Sequence, residues 1–453
     1  MFLLSNLFII RYVLMFLIAM LIAPFLSVAD GTMNLKQSVT LALEHNRMLA
    51  AAQSRRDKAD ADADVATAKL LPRLDISTGA SRTDSPLGAF GSKLLQSRIT
   101  AADFAPAALN NPGYINNYQS RLGLSMPVFA GGALWAGRAR ARHHADAAAL
   151  NYQFQQQQMM YQVTVAYVQV RQTHERQDAA SKAVQAASKR WQDAMALNKR
   201  GMAIKSDVMD AHVHLLRSEL DLEQANAAYA DSIEAFARIL GRDQPLAQPV
   251  LSEPVVHRPS QSLEQLLEGM YEHRADLQAL QNEVKAAEAG KRQSKSGYLP
   301  QVSLMAAQEW NNERFGLKNR NNMIGATVSV NLFAGGGDRA RVRAAESESL
   351  ALEFQLMDKQ QQISNEIRQA WRSLRTAEKR LASENEALTQ TSESLRIKSL
   401  RYNQGLEKTS DVLDAQARMD ASRVASIRAK YDVVVARAAL LLAAGKLDEG
   451  VIE

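Results

Sequence analysis

Three groups of residues invite a chemical reading. His143-His144 and the pair His212 and His214 offer imidazoles, but residues one or two apart point to different faces of a helix, so no metal site is expected there. Phe333-Ala334-Gly335-Gly336-Gly337 has the glycines of a phosphate loop without its Gly-Lys-Ser/Thr ending. It has a twin at Phe129-Ala130-Gly131-Gly132, so both read as strand-to-helix swivels at Gly131, Gly132, Gly335 and Gly336. Acids gather in two similar segments, Ser206-Asp207-Val208 and Ser410-Asp411-Val412-Leu413-Asp414, each shortly after a glycine, Gly201 or Gly405. Asp207 and Asp411 suit helix starts, where the dipole and capping favour a carboxylate, while Asp411 and Asp414, three apart, share one helical face. The chain has no Cys, which removes disulfides, thiolate-held zinc, iron–sulfur clusters and thiol catalysis. No catalytic constellation is visible, so neither an enzyme nor a cofactor is expected.

The elements that position these residues follow from composition and pattern. At 23% charged and 46% hydrophobic, the 453 residues are too apolar for disorder and too polar for a multi-span helical membrane protein. Gly (22) and Pro (11) are sparse, which allows long helices. A net charge of +6 gives no argument for nucleic acid as a partner. Phe2 to Phe25 is almost continuously apolar, and Ser27-Val28-Ala29 is a small-x-small site before Asp30. Residues 1–29 therefore read as a secretory signal peptide removed near Ala29, with a retained anchor as the competing reading. No Cys follows the apolar run, so lipidation of an N-terminal cysteine is not expected.

The sequence repeats itself. Leu71-Pro72 recurs as Leu299-Pro300, and Glu44-His45-Asn46 aligns with Glu272-His273-Arg274, both at an offset of 228. The FAGG segments and the two Gly…Ser-Asp-Val segments recur at an offset of 204. A first repeat over 30–244 and a second over 263–453 flank a Pro-rich linker, 245–262. In each, a helix leads to two stretches of period two, at about 73–82 and 118–128, then at about 301–310 and 323–332. A long helix follows (134–199; 338–403), and a second helix returns (207–240; 411–444).

Strict alternation over about 10 residues, as in Leu74, Ile76, Thr78 and Ala80 or Ile324, Ala326, Val328, Val330 and Leu332, is the pattern of a transmembrane β-strand. A half-buried sheet in a soluble domain gives the same alternation. Four strands cannot close a barrel in lipid, where each open edge leaves backbone groups unsatisfied. Copies of the chain must share one: a dimer gives eight strands, a trimer twelve with room for a pore. The long helices lack Pro and would reach roughly 100 Å. The connecting stretches Thr83 to Asn117 and Asn311 to Asn322 read as polar loops on the side opposite the helices. Arginines after each swivel (Arg138, Arg140, Arg142; Arg339, Arg341, Arg343) suit lipid phosphates or plain solvent.

The duplicated strand–FAGG–long-helix plan resembles the TolC-like outer-membrane efflux proteins. The two turns, Lys199-Arg200-Gly201…Ser206-Asp207-Val208 and Tyr402-Asn403-Gln404-Gly405…Ser410-Asp411-Val412-Leu413-Asp414-Ala415, carry the same likeness. It implies an α+β membrane protein: a homotrimeric 12-stranded transmembrane β-barrel in the Gram-negative outer membrane, continued by a long periplasmic α-helical barrel. It also implies outer-membrane lipid as surroundings. The partners it implies are a periplasmic membrane-fusion adaptor, docking at the hairpin tips around Gly201 and Gly405, and an inner-membrane pump of RND, ABC or MFS type. The function implied is a passive exit duct of a tripartite efflux or type I secretion system. In such channels, rings of acids lie at the narrow periplasmic end. Asp411 and Asp414 match those positions, Tyr402 and Asp207 match a closing hydrogen bond between hairpins, and Glu407 stands where an arginine is expected, with Lys205 or Lys408 as substitutes for its charge. The competing class is a periplasmic coiled-coil adaptor or structural scaffold with a soluble sheet.

Overall fold

In the computed structural model, the described residues are 33–244 and 251–452. The expected signal peptide, 1–29, and the first part of the Pro-rich stretch, 245–250, lie outside them. Asn34 opens α1 (Leu35–His45) with a capping box, accepting from Gln37 N at 2.7 Å while the Gln37 side chain returns to Asn34 N at 3.0 Å. Asn46 opens α2 (Arg47–Ala68), its side-chain oxygen accepting from the N–H groups of Met48 and Leu49. Then come β1 (Arg73–Thr83), α3 (Pro86–Leu95), α4 (Pro106–Asn110) and β2 (Ile115–Ala130). The hairpin of α5 (Ala133–Lys199) and α6 (Lys205–Ile239) ends the first repeat. The second repeat has α7 (Leu263–Glu268), α8 (Met270–His273), α9 (Ala275–Lys295), β3 (Gln301–Asn312), β4 (Arg320–Ser329), α10 (Gly337–Asn403) and α11 (Thr409–Ala443). Helices α5 and α10 have 67 residues each, roughly 100 Å.

Helix α6 covers only part of α5. Where α6 ends, Asn46 Nδ2 donates to Ile239 O at 2.8 Å, and α2 takes over the packing along α5. In the second repeat, Arg274 Nη1 donates to Ala443 O at 2.8 Å, and α9 follows α11 in the same way. The main core gathers at these junctions, as a collar. Leu35, Val39, Val163, Tyr167, Phe236 and Leu240 pack with Tyr431 and Leu441 from the second repeat. From Leu251 on, the stretch expected as a linker is strapped to this collar. Leu251 pairs with Met33 and Val256 with Ile452, and both Leu251 and Val256 are buried. A half-buried charge cluster fastens it, with Lys430 Nζ 3.0 Å from Glu175 and 2.9 Å from Glu253.

The four strands form one antiparallel sheet in the order β1-β2-β3-β4. Its register puts Leu74 opposite Leu124, Leu124 opposite Ala306, and Ala306 opposite Ile324, so the apolar alternation of every strand falls on one face. The other face carries Gly79, Gly123 and Gly325 with Arg121, Gln119 and Glu309, the last two hydrogen-bonded at 3.1 Å. Within one chain the apolar face is largely exposed, Ile324 and Leu332 above all. The outer edges of β1 and β4 have no partner strand in this sheet. β4 stops at Ser329, opposite the first residue of β3, although the alternation runs on to Leu332. Beyond Ser329, neither neighbour offers a strand to pair with.

The segment after β1 is not the plain polar loop expected from its composition. It folds into α3 and α4, with Ala89 buried and a Phe90–Phe104 edge contact at 5.6 Å. Gln96 Nε2 donates to Asn116 O and Asn117 Oδ1, and Asn117 Nδ2 donates to Asn311 Oδ1 at 2.9 Å, which ties the segment to the polar face. Pro86 and Pro106 supply the helix starts. Among the described residues, no helix is long and apolar enough to cross a membrane.

Candidate functional site

Both hairpin tips are built by one backbone device. Gly201 and Gly405 both adopt φ of +73°, a left-handed conformation that L side chains resist. Met202 N donates to Leu197 O and Leu406 N to Arg401 O, each at 2.9 Å, which closes the long helix in a Schellman turn. The return helices start two residues earlier than the acids suggested, at Lys205 and Thr409. Their N-caps are Ile204 and Lys408, in extended conformation and without a side-chain cap. Asp207 and Asp411 are therefore first-turn acids rather than caps, placed where the dipole favours negative charge.

The tip residues divide by environment. Asp207 and Asp411 are half-exposed, and Asp414, Lys205 and Lys408 are exposed. Glu407 pairs with Arg401 across its own turn, Nε to Oε2 at 2.9 Å, so its charge is balanced from within the hairpin. Tyr402 OH accepts from Thr409 Oγ1 at 3.3 Å; within one chain it does not bond to Asp207. Tyr402 and Thr409 line a cleft of about 620 Å³ between the two hairpins, with Arg190, Asp193, Arg200, Asn403 and Leu413. Sequence reasoning missed Arg190 and Arg401. Arg190 has a buried Nη1 without a hydrogen-bond partner, and burial pulls its guanidinium below the usual arginine range. Helical spacing alone does not reveal it, because its surroundings come from the other hairpin.

At the other end of the long helices, Gly132 and Gly336 are the left-handed residues before α5 and α10. At Gly131, φ is +59°, and a Cβ would fall 2.5 Å from Ser296 O, so the approach of the α9 end admits only glycine. Arg138 lies over the exposed Trp135 ring, 5.9 Å from its centroid. Arg341 pairs with the buried Asp338, which also accepts from Asn331. Exposed Phe333, Leu332, Tyr298 and Phe129 form an aromatic and apolar girdle at this junction. Two of the histidines have local partners: His144 Nδ1 lies 2.9 Å from Glu283 Oε2, and His212 stacks on Trp191.

A sequence model of the outer membrane efflux protein family matches residues 39–242 and 266–446. Among characterised relatives, outer membrane efflux protein BepC of Brucella suis is 23% identical over 66% of this chain and 65% of its own length. Outer membrane protein TolC of Vibrio cholerae is 22% identical over 95% of this chain and 96% of its own. The crystal structure of the CmeC outer membrane channel of Campylobacter jejuni superposes with a TM-score of 0.78 at 18% identity, covering 92% of this chain and 86% of that one. The chain belongs to the outer membrane efflux protein family, whose members are transport channels and not enzymes.

Proposed function

We propose that three copies of this chain close a 12-stranded β-barrel in the outer membrane, continued through the periplasm by a barrel of their helices. The assembly is a passive exit duct for an efflux or type I secretion machine. The observation that carries the reading is the sheet. It has an apolar face, a polar face rich in glycine, and two unpaired edges that lipid does not tolerate. The chain also supplies a template for sealing those edges. β2 and β3, one from each repeat, pair inside the chain with Leu124 opposite Ala306. Moved by the repeat offsets, that pairing sets Val328 of β4 opposite Thr78 of the next chain's β1, both on the apolar face. Val330 then meets Ile76, which extends β4 past Ser329. Trp135 and the girdle mark the inner boundary of the membrane, with Arg138 beside lipid phosphates. The hairpin tips then lie deep in the periplasm, within reach of an adaptor protein and an inner-membrane pump.

At the tips, Asp411 and Asp414 repeat around the three-fold axis as a cation-attracting mouth. Contacts between neighbouring hairpins, with Tyr402, Asp207, Lys205 and the Arg401–Glu407 pair, set how wide it stands. The ring is tested by thiols, since the chain has none of its own. Thr78→Cys with Val328→Cys is expected to oxidise in outer-membrane fractions to a disulfide-linked trimer; opposed strand residues lie within disulfide reach. A chain released by osmotic shock as a monomer refutes the ring. For the mouth, Asp411→Ala with Asp414→Ala is expected to raise anion conductance in planar bilayers. Unchanged ion selectivity places both acids outside the pore.

A further inference from the structure

The internal repeat also assigns a partner to a face of α10 that has none among the described residues of its own chain. Within the chain, α9 of the second repeat packs on α5 of the first. His144 Nδ1 lies 2.9 Å from Glu283 Oε2, and a Cβ on Gly290 would sit 3.7 Å from Arg140 Cδ. The Arg274 guanidinium lies 5.4 Å from the centroid of the Phe154 ring. The counterparts of α9 and α5 are α2 and α10, matched without insertion at the offsets of 228 and 204. Those two helices form no packed joint in one chain. On α10, Ala344, Glu348 and Asp358 stand at the positions of Arg140, His144 and Phe154, and all three are exposed. On α2, Arg55 and Asp62 stand at the positions of Glu283 and Gly290, also exposed. Among the described residues, neither Arg55 nor Glu348 has an ion-pair or hydrogen-bond partner.

We propose that α10 of one copy docks on α2 of the next, with Glu348 paired to Arg55 and Asp62 seated over Ala344. The joint between chains then copies the joint inside the chain with sign and bulk exchanged. Inside, the long helix brings the imidazole and the large side chain to a carboxylate and a glycine; between chains, it brings the carboxylate and the small side chain. The exchange makes the two joints non-interchangeable. Docking α9 on another copy's α10 would set Glu283 against Glu348, and like charges at close quarters reject the wrong order. The repeats must then alternate around the ring.

This inference rests on the ring proposed above, and the test separates the two. In the cysteine-free chain, Arg55→Cys with Glu348→Cys and a short bifunctional thiol reagent is expected to give a ladder up to three times the protomer mass. The internal pair, His144→Cys with Glu283→Cys, is expected to stay at protomer mass under the same reagent. Glu348→Arg or Arg55→Glu alone lowers the temperature at which the trimer dissociates on gels, and the two together restore it. Membranes that form the Thr78–Val328 disulfide but give no Arg55–Glu348 cross-link keep the ring and overturn the joint, as does a double exchange that restores nothing. If both links are absent, the ring reading falls and takes the joint with it. A cross-linked band of any other mass assigns this face to a different protein and overturns the joint.

Discussion

The two repeats solve one problem at their collar junctions with different chemistry. In each, the returning helix ends on a carbonyl that needs a donor, and the residue opening the next helix supplies it. The first repeat uses Asn46, a neutral amide that also caps α2, among the neutral side chains Met48, Gln155 and Gln162 at the matching positions. The second uses Arg274, 2% exposed, and a guanidinium so placed requires acids. Asp276 accepts from it at 2.7 and 2.8 Å, and Glu366 at 3.1 Å. Lys359 then balances Asp276 at 2.9 Å. What the fold fixes is the donor at that carbonyl; the charge is a local elaboration. The surroundings differ to match. Arg274 is covered by Phe154 of the other repeat, whereas Asn46 opens on a cleft of about 690 Å³ shared with Arg47, Gln162 and Asp243.

The sharpest test of this contrast is Arg274→Ala, which strands Asp276 without its main partner. A loss of about 3–5 kcal/mol in collar stability is expected by denaturant titration, as for other broken buried pairs. A loss near that of a simple cap would mean the charges are not sealed from water. Acid is the next lever. Burial pushes the Asp276 carboxyl up, but the hydrogen bonds and charges of Arg274 and Lys359 overcome it and hold the group below its ordinary range. A depressed carboxylate contributes fully above its unfolded-state value, about 4, and that contribution is lost as pH falls through the folded value. The junction of the second repeat is therefore expected to weaken on acidification below about pH 4, and Asp276→Asn to remove that part of the slope. At the first junction Asn46, Met48, Gln155 and Gln162 carry no ionisable group, and the neighbouring Arg47–Asp243 pair is exposed to solvent. The smallest effect belongs to Asn46→Ala, about 1–2 kcal/mol for a lost cap, with no change in pH dependence. A pH-dependent loss there would contradict the division drawn here.

Legibility in the sequence follows the range of the interaction. The swivels and tip glycines were readable because each depends on a few neighbouring residues. The alternation in the strands was readable because successive side chains of a strand point to opposite faces of the sheet. The helix starts at Lys205 and Thr409 were not, because Ile204 and Lys408 open them without a side-chain cap. The partner of Glu407 was missed because Arg401 reaches it only once Gly405 has turned the chain. In the sequence Arg274 stood out only as the repeat counterpart of Asn46. Its importance depends on Glu366 and Lys359, about ninety residues further along the chain.

The position of the collar has a mechanical consequence. Its packed side chains on α5 end near Val170, and the helix runs on to Lys199, roughly 45 Å at 1.5 Å per residue. Such a rod is a lever with its fulcrum at one end. A tilt of about 5° at the fulcrum sweeps the far end through about 4 Å on that geometry. A push too slight to disturb the packing at the pivot is thus magnified into a stroke longer than a water molecule is wide.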